Sequence, residues 1–267
     1  MKEELLLIKL GGSLITDKSR PLTPRPEVIH RLGLEIKSAL LKKKKIKIIL
    51  SHGSGSFGHI PAKKYGTADG FQNRRGRFGA CITSDIAAKL NRIVIQELIS
   101  AGLPVTFIPP SSIFIAKNGK PFKIFIEPIL ILLKKGIIPV LYGDVIWDTK
   151  KGSSIFSGET CLKIVAQELM KRHWRIARDI QLGNEKGVLD KKGKIIPHIT
   201  PVKFAKLHRI IGGSANQDVT GGMWHKVQES LEMTKSGIET LIASGEEKKL
   251  TYKAIIGKKV IGTIISV

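Results

Sequence analysis

Cysteine is nearly absent from this chain of 267 residues, which contains only Cys81 and Cys161. Two thiols cannot build a disulfide framework or a four-cysteine zinc site, and their scarcity favours a reducing, cytoplasmic location. Long hydrophobic runs are lacking too. The longest, 124–133, contains Glu127 and Pro128 and is shorter than the ~20 residues of a membrane span. We expect it to form a buried helix, and we expect no membrane span.

Acidic residues are also few: 22 Asp and Glu stand against 45 Lys and Arg, which gives a formal net charge of +23. Such a charge attracts polyanions, either nucleic acids or phosphorylated metabolites. The basic residues are dispersed along the chain and are not interleaved with aromatic residues, which make up only 6%. We therefore expect no specific nucleic-acid partner, and a basic nucleic-acid-binding protein is the alternative.

Short runs rich in β-branched residues alternate with stretches of helical periodicity, which predicts an α/β fold with helices on both faces of a sheet. No linker or internal repeat interrupts the chain, so we expect one domain over residues 1–267. The predicted strands are 5–10, 46–51, 104–108, 137–141, 176–182, 240–243 and 260–266. The predicted helices are 27–41, 81–100, 127–135, 159–171 and 223–236, with hairpins at 142–155 and 187–196.

The first predicted strand leads into Lys9, Gly11, Gly12 and Ser13, and Lys18 follows. A lysine at the carboxyl end of a strand supplies a point charge, and glycines leave amides uncovered, a combination suited to a polyphosphate. A strand followed by a glycine turn would also explain these residues. The spacing does not match a P-loop.

The second predicted strand ends in a glycine-rich segment that contains Gly53, Ser54, Gly55, Gly58 and His59. Its glycines fit GxGxxG, but no following strand ends in an acid about 20 residues on, which disfavours a dinucleotide site. The amides of this segment can close on an anion, and the histidine can donate to it. A structural histidine is the equally open alternative.

Two other segments place amides and charges at predicted helix starts. Gly221 and Gly222 open a helix in which Lys226 lies one turn further on, and Gly158 and Glu159 open another. The positive end of a helix attracts anions. Taken alone, each segment is also explained by an ordinary capped helix.

Taken in order, these segments resemble the amino acid kinase superfamily and, within it, the isopentenyl phosphate kinases. The KLGGS and TGGM sequences are typical of the whole superfamily, whereas GSFGH, ending at His59, is shared mainly with isopentenyl phosphate kinases and related fosfomycin kinases. The resemblance covers nearly the whole chain. The segments that carry it are 8–13 with 15–18, 52–59, 77–79, 142–145, 156–158 and 218–223 with Lys226.

The resemblance implies a three-layer α/β sandwich, with a largely parallel sheet of about eight strands between helices. It implies a homodimer in which lobe 1–175 binds the acceptor phosphate and lobe 176–267 binds the nucleotide. The implied activity is ATP-dependent phosphorylation of isopentenyl phosphate in isoprenoid synthesis through the mevalonate pathway, with ATP and Mg²⁺ as cofactors and no protein metal ligand identified. A fosfomycin-like phosphonate, a carboxylate or a nucleoside monophosphate is the alternative acceptor.

The resemblance also implies roles for particular residues. The implied catalytic residues are Lys9, His59, Lys226 and Glu159. The implied nucleotide-binding residues are Lys9, Gly11, Gly12, Ser13, Lys18, Gly183, Gly221, Gly222 and Lys226. The implied acceptor-binding residues are Gly53, Ser54, Gly55, Gly58, His59, Gly158, and Phe78 with Ile82 along the isoprenoid tail, where core packing is the alternative for the last two.

Two segments depart from the family's pattern. Glu159 stands where the family commonly has an aspartate that orients two catalytic lysines, and its side chain is one methylene longer. Segment 184–189 is one residue shorter than the family's TDVDGVY and has a base in place of an acid. We therefore expect altered nucleotide affinity or base preference.

Overall fold

The structure, a computed structural model, describes residues 4–211 and 220–267. Within these ranges, the side chains at 59, 207–211, 220–222 and 225 lie outside the description. In the described part of the chain, no helix is both long enough and apolar enough to cross a membrane.

A largely parallel sheet of eight strands forms the centre of the fold. Its strands are β1 (Glu4–Leu10), β2 (Ile46–His52), β3 (Val105–Phe107), β6 (Ile138–Tyr142), β9 (Ile176–Gly183), β10 (His198–Ile199), β11 (Thr240–Ser244) and β12 (Thr263–Ile265). They lie in the order β10-β12-β11-β9-β1-β2-β6-β3, with β11 and β12 antiparallel and the other neighbours parallel. The predicted α/β class is confirmed, and each predicted strand belongs to this sheet.

A smaller sheet joins two hairpins. Its strands are β4 (Phe114–Lys117), β5 (Lys120–Ile124), β7 (Asp144–Asp148) and β8 (Gly152–Phe156), in the order β5-β4-β7-β8. The hairpin predicted at 142–155 is confirmed as β7 and β8, whereas the β4–β5 hairpin was not predicted. The hairpin predicted at 187–196 is reduced to one bridge, between Leu189 and Ile195.

Helices cover both faces of the main sheet. They are α1 (Gly12–Ile15), α2 (Pro26–Lys42), α3 (Gly55–Tyr65), α4 (Arg74–Ser100), α5 (Pro110–Ile113), α6 (Glu127–Lys134), α7 (Gly158–Lys171), α8 (Pro201–Ile211), α9 (Thr220–Lys235) and α10 (Leu250–Ile255). The predicted helices are all present, but α4 begins before its predicted start because Asn73 caps it by accepting the amide hydrogen of Gly76 at 2.8 Å.

The prediction that the apolar run 124–133 forms a buried helix is only half right. The run forms the end of β5 and most of α6, in which Ile129 and Leu133 are buried while Ile131 is 60% exposed. The helix packs one face against the sheet and leaves the other in solvent.

Alternate side chains of β1 face the two helical layers, as the pleat of a strand requires. Leu6, Ile8 and Leu10 pack with α2, α4 and α10, whereas Leu5 and Leu7 pack with α6 and α7. By the same alternation, the side chain of Lys9 lies on the face of the sheet that packs against α7.

Candidate active site

Lys9 lies near the carboxyl end of β1, where the strand order of the main sheet changes direction. β1 has β2 on one side and β9 on the other, and all three run parallel. Ligands of open α/β sheets bind in the crevice outside the carboxyl ends of the strands at such a switch point. The lysine is only 4% exposed and forms an ion pair with Glu159.

Glycines allow the segments after β1 and β2 to touch each other. A Cβ on Gly12 would lie 2.4 Å from the amide nitrogen of Gly55, and a Cβ on Gly53 would lie 2.9 Å from the amide nitrogen of Gly12. A side chain at either position would therefore force the two segments apart. Glycine keeps them together and leaves their amides uncovered.

Helix α3 begins inside the glycine-rich segment, where no helix was predicted. Gly55 has a φ of +49°, and a Cβ there would lie 2.1 Å from Oγ1 of Thr16. The same hydroxyl oxygen accepts the amide hydrogen of Ser56 at 3.0 Å. The N-terminus of α3 is thereby held against the segment after β1, where it can bind an anion.

Helix α7 contributes a second N-terminus together with Glu159. Ser157 caps the helix, because its Oγ accepts the amide hydrogen of Thr160 at 3.1 Å. Gly158 packs closely on β2, where a Cβ would lie 2.6 Å from the carbonyl oxygen of His52. This packing fixes Glu159 in the first turn of α7. The glutamate side chain, which is one methylene longer than that of aspartate, still pairs with Lys9.

Lys9, Lys18, Lys226 and Glu159 form a charged cluster. Burial raises the pKa of Glu159, but the attraction and hydrogen bond of Lys9 outweigh it and hold that pKa below its ordinary value. Burial and the repulsion of Lys9 lower the pKa of Lys226 to about 8. Three cations beside one carboxylate leave a positive excess that a polyanion would neutralise.

These groups line a cavity of about 650 Å³ that also has two largely apolar walls. Two aromatic lining residues, Phe204 and Trp224, stack with their ring centroids 4.2 Å apart. One apolar wall comes from α3, α4 and the smaller sheet: Ala62, Thr83, Ala87, Val145, Ile155 and Phe156. The other comes from the C-terminal part of the chain: Val188, Leu189, Ile199, Phe204, Met223, Trp224 and Val227.

Most of the predicted site residues meet at this cavity. Gly183 ends β9, where a Cβ would lie 3.1 Å from Nζ of Lys226. Gly221 and Gly222 lie in the first turn of α9, and their surroundings are outside the described part of the structure. The side chain of His59 is outside it as well. The predicted residues that line the cavity are Lys9, Gly11, Gly12, Ser13, Lys18, Gly53, Ser54, Gly55, Gly58, Gly158, Glu159 and Lys226.

The face of α4 that lines the cavity is not the predicted face, which contains Phe78 and Ile82. Phe78 and Ile82 are not among the lining residues, and Phe78 is 67% exposed. Thr83 and Ala87, also one turn apart, line the wall, and Gly79 is buried on the same face. Small residues spaced by four let a helix approach its neighbours, and that spacing was the available signal.

The divergent segment 184–189 lies at the cavity. Asn184, Glu185, Val188 and Leu189 line it, and the attraction of Glu185 partly opposes the lowering of the pKa of Lys226. This segment therefore places an acid near the lysines.

Two of the carboxylates at the cavity, those of Asp144 and Glu159, are engaged by the protein. Asp144, a lining residue, accepts hydrogen bonds from Oγ of Ser84 at 3.0 Å and from the amide of Val145 at 2.7 Å, and burial raises its pKa. Glu159 is paired with Lys9. Among the described residues, no group of three or more His, Cys, Asp or Glu side chains could hold a metal ion.

Comparison with known proteins places this geometry among kinases. Residues 4–244 match the amino acid kinase family. The isopentenyl phosphate kinase of Methanocaldococcus jannaschii is 34% identical over 262 residues, which cover 95% of this chain and 96% of that protein. The isopentenyl phosphate kinase of Methanothermobacter thermautotrophicus is 31% identical over 279 residues, which cover 98% of this chain and 99% of that protein.

The similarity extends to the arrangement of the whole chain. An X-ray structure of isopentenyl phosphate kinase matches with a TM-score of 0.81 at 27% identity, and the match covers 98% of this chain and 100% of that one. The eight-stranded sheet with its flanking helices is thus the amino acid kinase fold.

Proposed function

Because this chain belongs to the amino acid kinase family, we propose that it transfers the γ-phosphoryl group of ATP to isopentenyl phosphate. A terminal oxygen of the acceptor phosphate attacks the γ-phosphorus, and the bond to the β–γ bridging oxygen breaks. The products are isopentenyl diphosphate and ADP. The protein is a phosphotransferase of isoprenoid synthesis, as are the relatives whose similarity spans nearly its full length.

One observation carries the proposal: three lysines and two helix N-termini share a cavity with apolar walls. Phosphoryl transfer needs charge neutralisation and in-line placement more than covalent catalysis. A phosphate monoester has a second pKa of about 6, so the acceptor is already largely a dianion at neutral pH and needs no general base. Cations and amides fixed in a shielded cavity stabilise the transferring group better than mobile ions in solvent.

The lysines supply the central chemistry in this proposal. Lys9 and Lys226 neutralise the transferring phosphoryl group from two sides, and Lys18 neutralises the other ATP phosphates. Glu159 holds Lys9 through their ion pair and attracts Lys226. Its carboxylate therefore orients both lysines and never touches the acceptor.

The acceptor binds in lobe 1–175. The amides of Gly55 and Gly158 hold its phosphate, and the imidazole of His59 donates a further hydrogen bond. The amide of Gly53, which the resemblance also implied, donates instead to the carbonyl oxygen of Leu10 at 3.0 Å. The isoprenoid tail extends along the first apolar wall, where Thr83 and Ala87 take the part that the sequence assigned to Phe78 and Ile82. Apolar contact suits a five-carbon tail, which offers no hydrogen bond.

ATP binds in lobe 176–267 and across the first glycine segment. Its phosphates lie among the amides around Gly12, Ser13, Gly183, Gly221 and Gly222. The amide of Gly11 itself donates to the carbonyl oxygen of Leu182 at 2.7 Å. The base of ATP lies along the second apolar wall, beside Trp224. Mg²⁺ enters on the ATP phosphates, which supply much of its coordination.

A homodimer in the cytoplasm is the working form in this proposal. Cys81 and Cys161 are both free thiols, which suits a reducing compartment. Light scattering on the purified protein should give the mass of two chains, and the mass of one chain would contradict the dimer.

A coupled ADP-release assay across isopentenyl phosphate, dimethylallyl phosphate, fosfomycin, UMP and N-acetylglutamate tests the acceptor. We expect the highest kcat/KM with isopentenyl phosphate, and measurable turnover of dimethylallyl phosphate because an apolar pocket separates such isomers by only ~1–3 kcal/mol. The variant Lys9→Met, purified identically, should keep only a small residual activity, which excludes a contaminating kinase as the source of the wild-type rate. Another acceptor preferred by ~10-fold or more would make the assignment wrong.

A further inference from the structure

Two polar side chains are buried in β9 next to Lys9. Asp179 and Gln181 are 1% and 4% exposed, and their spacing of two places them on the same face of the strand. The register pairs Gln181 with Lys9 and Asp179 with Leu7 on β1. Paired positions of neighbouring strands lie about 5 Å apart, so Gln181 is the β9 neighbour of the lysine on the α7 face.

A hydrogen bond to Asp179 fixes the orientation of the Gln181 amide. Nε2 of Gln181 donates to Oδ2 of Asp179 at 2.8 Å, and Oγ1 of Thr240 donates to the same oxygen at 3.3 Å. Because a carboxylate can only accept, the amide must turn its nitrogen toward Asp179 and its oxygen away. That oxygen, Oε1, is buried and has no hydrogen-bond partner among the described residues.

An unpartnered buried carbonyl oxygen costs free energy and is rarely retained without a use. A lysine ammonium has three hydrogens to donate, and in the structure Lys9 donates to Glu159. Asp179 lies close enough to this pair for its pKa to respond to both members: burial raises the pKa to about 6, the repulsion of Glu159 also raises it and the attraction of Lys9 lowers it.

We propose that Gln181, oriented by Asp179, is a positioning residue for Lys9, whose ammonium donates to Oε1 of Gln181 as it follows the transferring phosphoryl group. The inference rests on the proposed function, because it concerns the part that Lys9 plays in transfer. Glu159 holds the lysine on the α7 side, and Gln181 supplies a second acceptor on the β9 side. Asp179 prevents the amide from turning its NH₂ group toward the ammonium.

The variant Gln181→Leu keeps the approximate volume and removes the acceptor. We expect kcat to fall about tenfold, the effect of one hydrogen bond to a charged group, with little change in KM for isopentenyl phosphate. Asp179→Asn can still accept from Nε2 and should keep most of kcat, whereas Asp179→Leu should behave like Gln181→Leu. Thr240→Val is the matched control: it removes the other bond to Asp179 and should lower Tm without lowering kcat.

A double-variant comparison separates positioning from stability. If Gln181 acts through Lys9, Gln181→Leu should not reduce the residual activity of Lys9→Met any further. An active wild type with full kcat in Gln181→Leu would overturn the positioning role and leave the proposed function standing. If Gln181→Leu does not fold, equal kcat in Asp179→Asn and Asp179→Leu would overturn it instead. A wild type that does not phosphorylate isopentenyl phosphate would remove both.

Discussion

Removing the charge of Glu159 tests how the lysine cluster is held. The variant Glu159→Gln keeps the shape of the side chain but leaves Lys9 buried without its counter-ion, next to Lys226 and Lys18. Two unit charges about 4 Å apart interact by about 4 kcal/mol at an effective dielectric constant near 20. Breaking a buried pair by removing one partner costs about 3–5 kcal/mol. For a chain of this size, such a loss lowers Tm by roughly 6–20 °C.

The sign of the pH dependence follows from the lowered pKa of Glu159. The ion pair stabilises the fold above the unfolded pKa of about 4.3, and this stabilisation is lost as pH falls toward the folded value. The Tm difference between wild type and Glu159→Gln should therefore be full at neutral pH and shrink below about pH 4. ATP, which restores negative charge beside the lysines, should raise the Tm of the variant more than that of the wild type.

Calorimetry and the ADP-release assay measure the two consequences. Glu159→Asp, which keeps the charge, should retain measurable kcat, and Glu159→Ala should not. The matched control is Glu168→Gln on the same helix, where the partners Lys171 and Arg172 are 70% and 36% exposed. Exposed pairs of this kind contribute only about 0–1 kcal/mol each. A Glu159→Gln protein with the Tm and kcat of the wild type would refute the reasoning.

Three other predictions concern Lys226, His59 and Asp148. Burial and the repulsion of Lys9 lower the pKa of Lys226 to about 8, so kcat/KM for ATP should fall as pH rises through about 8. Lys226→Arg should remove this fall because arginine stays charged. A wild-type kcat/KM that stays constant well above pH 8 would contradict the role of Lys226. His59→Ala should lower kcat/KM for isopentenyl phosphate at least ~10-fold and leave ATP affinity and Tm nearly unchanged. His59→Gln should retain more activity than His59→Ala. A joint loss of Tm and ATP binding in His59→Ala would indicate a structural histidine. Burial raises the pKa of Asp148, but hydrogen bonds from the amides of Gly119, Lys150 and Lys151 and from Ser154 outweigh it and hold that pKa below the ordinary value. As pH falls below about 4, the Tm of the wild type should therefore fall more than that of Asp148→Asn. Equal losses of Tm in the two proteins would contradict this prediction.

The strands of the main sheet could be predicted because their signal is local. Runs of β-branched and apolar residues such as Ile46–His52 are buried on both faces in a parallel sheet, and the sequence records that burial directly. Lys9 and its glycines were identifiable for the same reason, because they follow such a strand without interruption. The site residues at the end of a strand could therefore be predicted from the sequence.

Features that depend on distant contacts were not predicted. Helix α3 contains Gly58 and Pro61, which have low helix propensity, and its start depends on the contact of Gly55 with Thr16. The face of α4 that reaches the cavity is set by its neighbours and not by its bulky residues. The burial of Gln181 likewise follows from its place between strands.

One local signal was overlooked. The β4–β5 hairpin turns at Asn118 and Gly119, which have φ values of 51° and 77°. An Asn-Gly pair with both residues at positive φ is the preferred two-residue hairpin turn. The lysines and the proline around it broke the apolar alternation that would have marked the strands.

Phosphorus NMR on a mixture of ATP, Mg²⁺, isopentenyl phosphate and the purified protein tests the central claim most directly. We expect the monophosphate signal of the acceptor to disappear and the two coupled signals of a prenyl diphosphate to appear together with ADP in equal amount. Lys9→Met should show no change in the time that the wild type needs to complete the conversion. ATP consumption that leaves the acceptor signal intact, or an acceptor signal unchanged after prolonged incubation with folded wild-type protein, would contradict it.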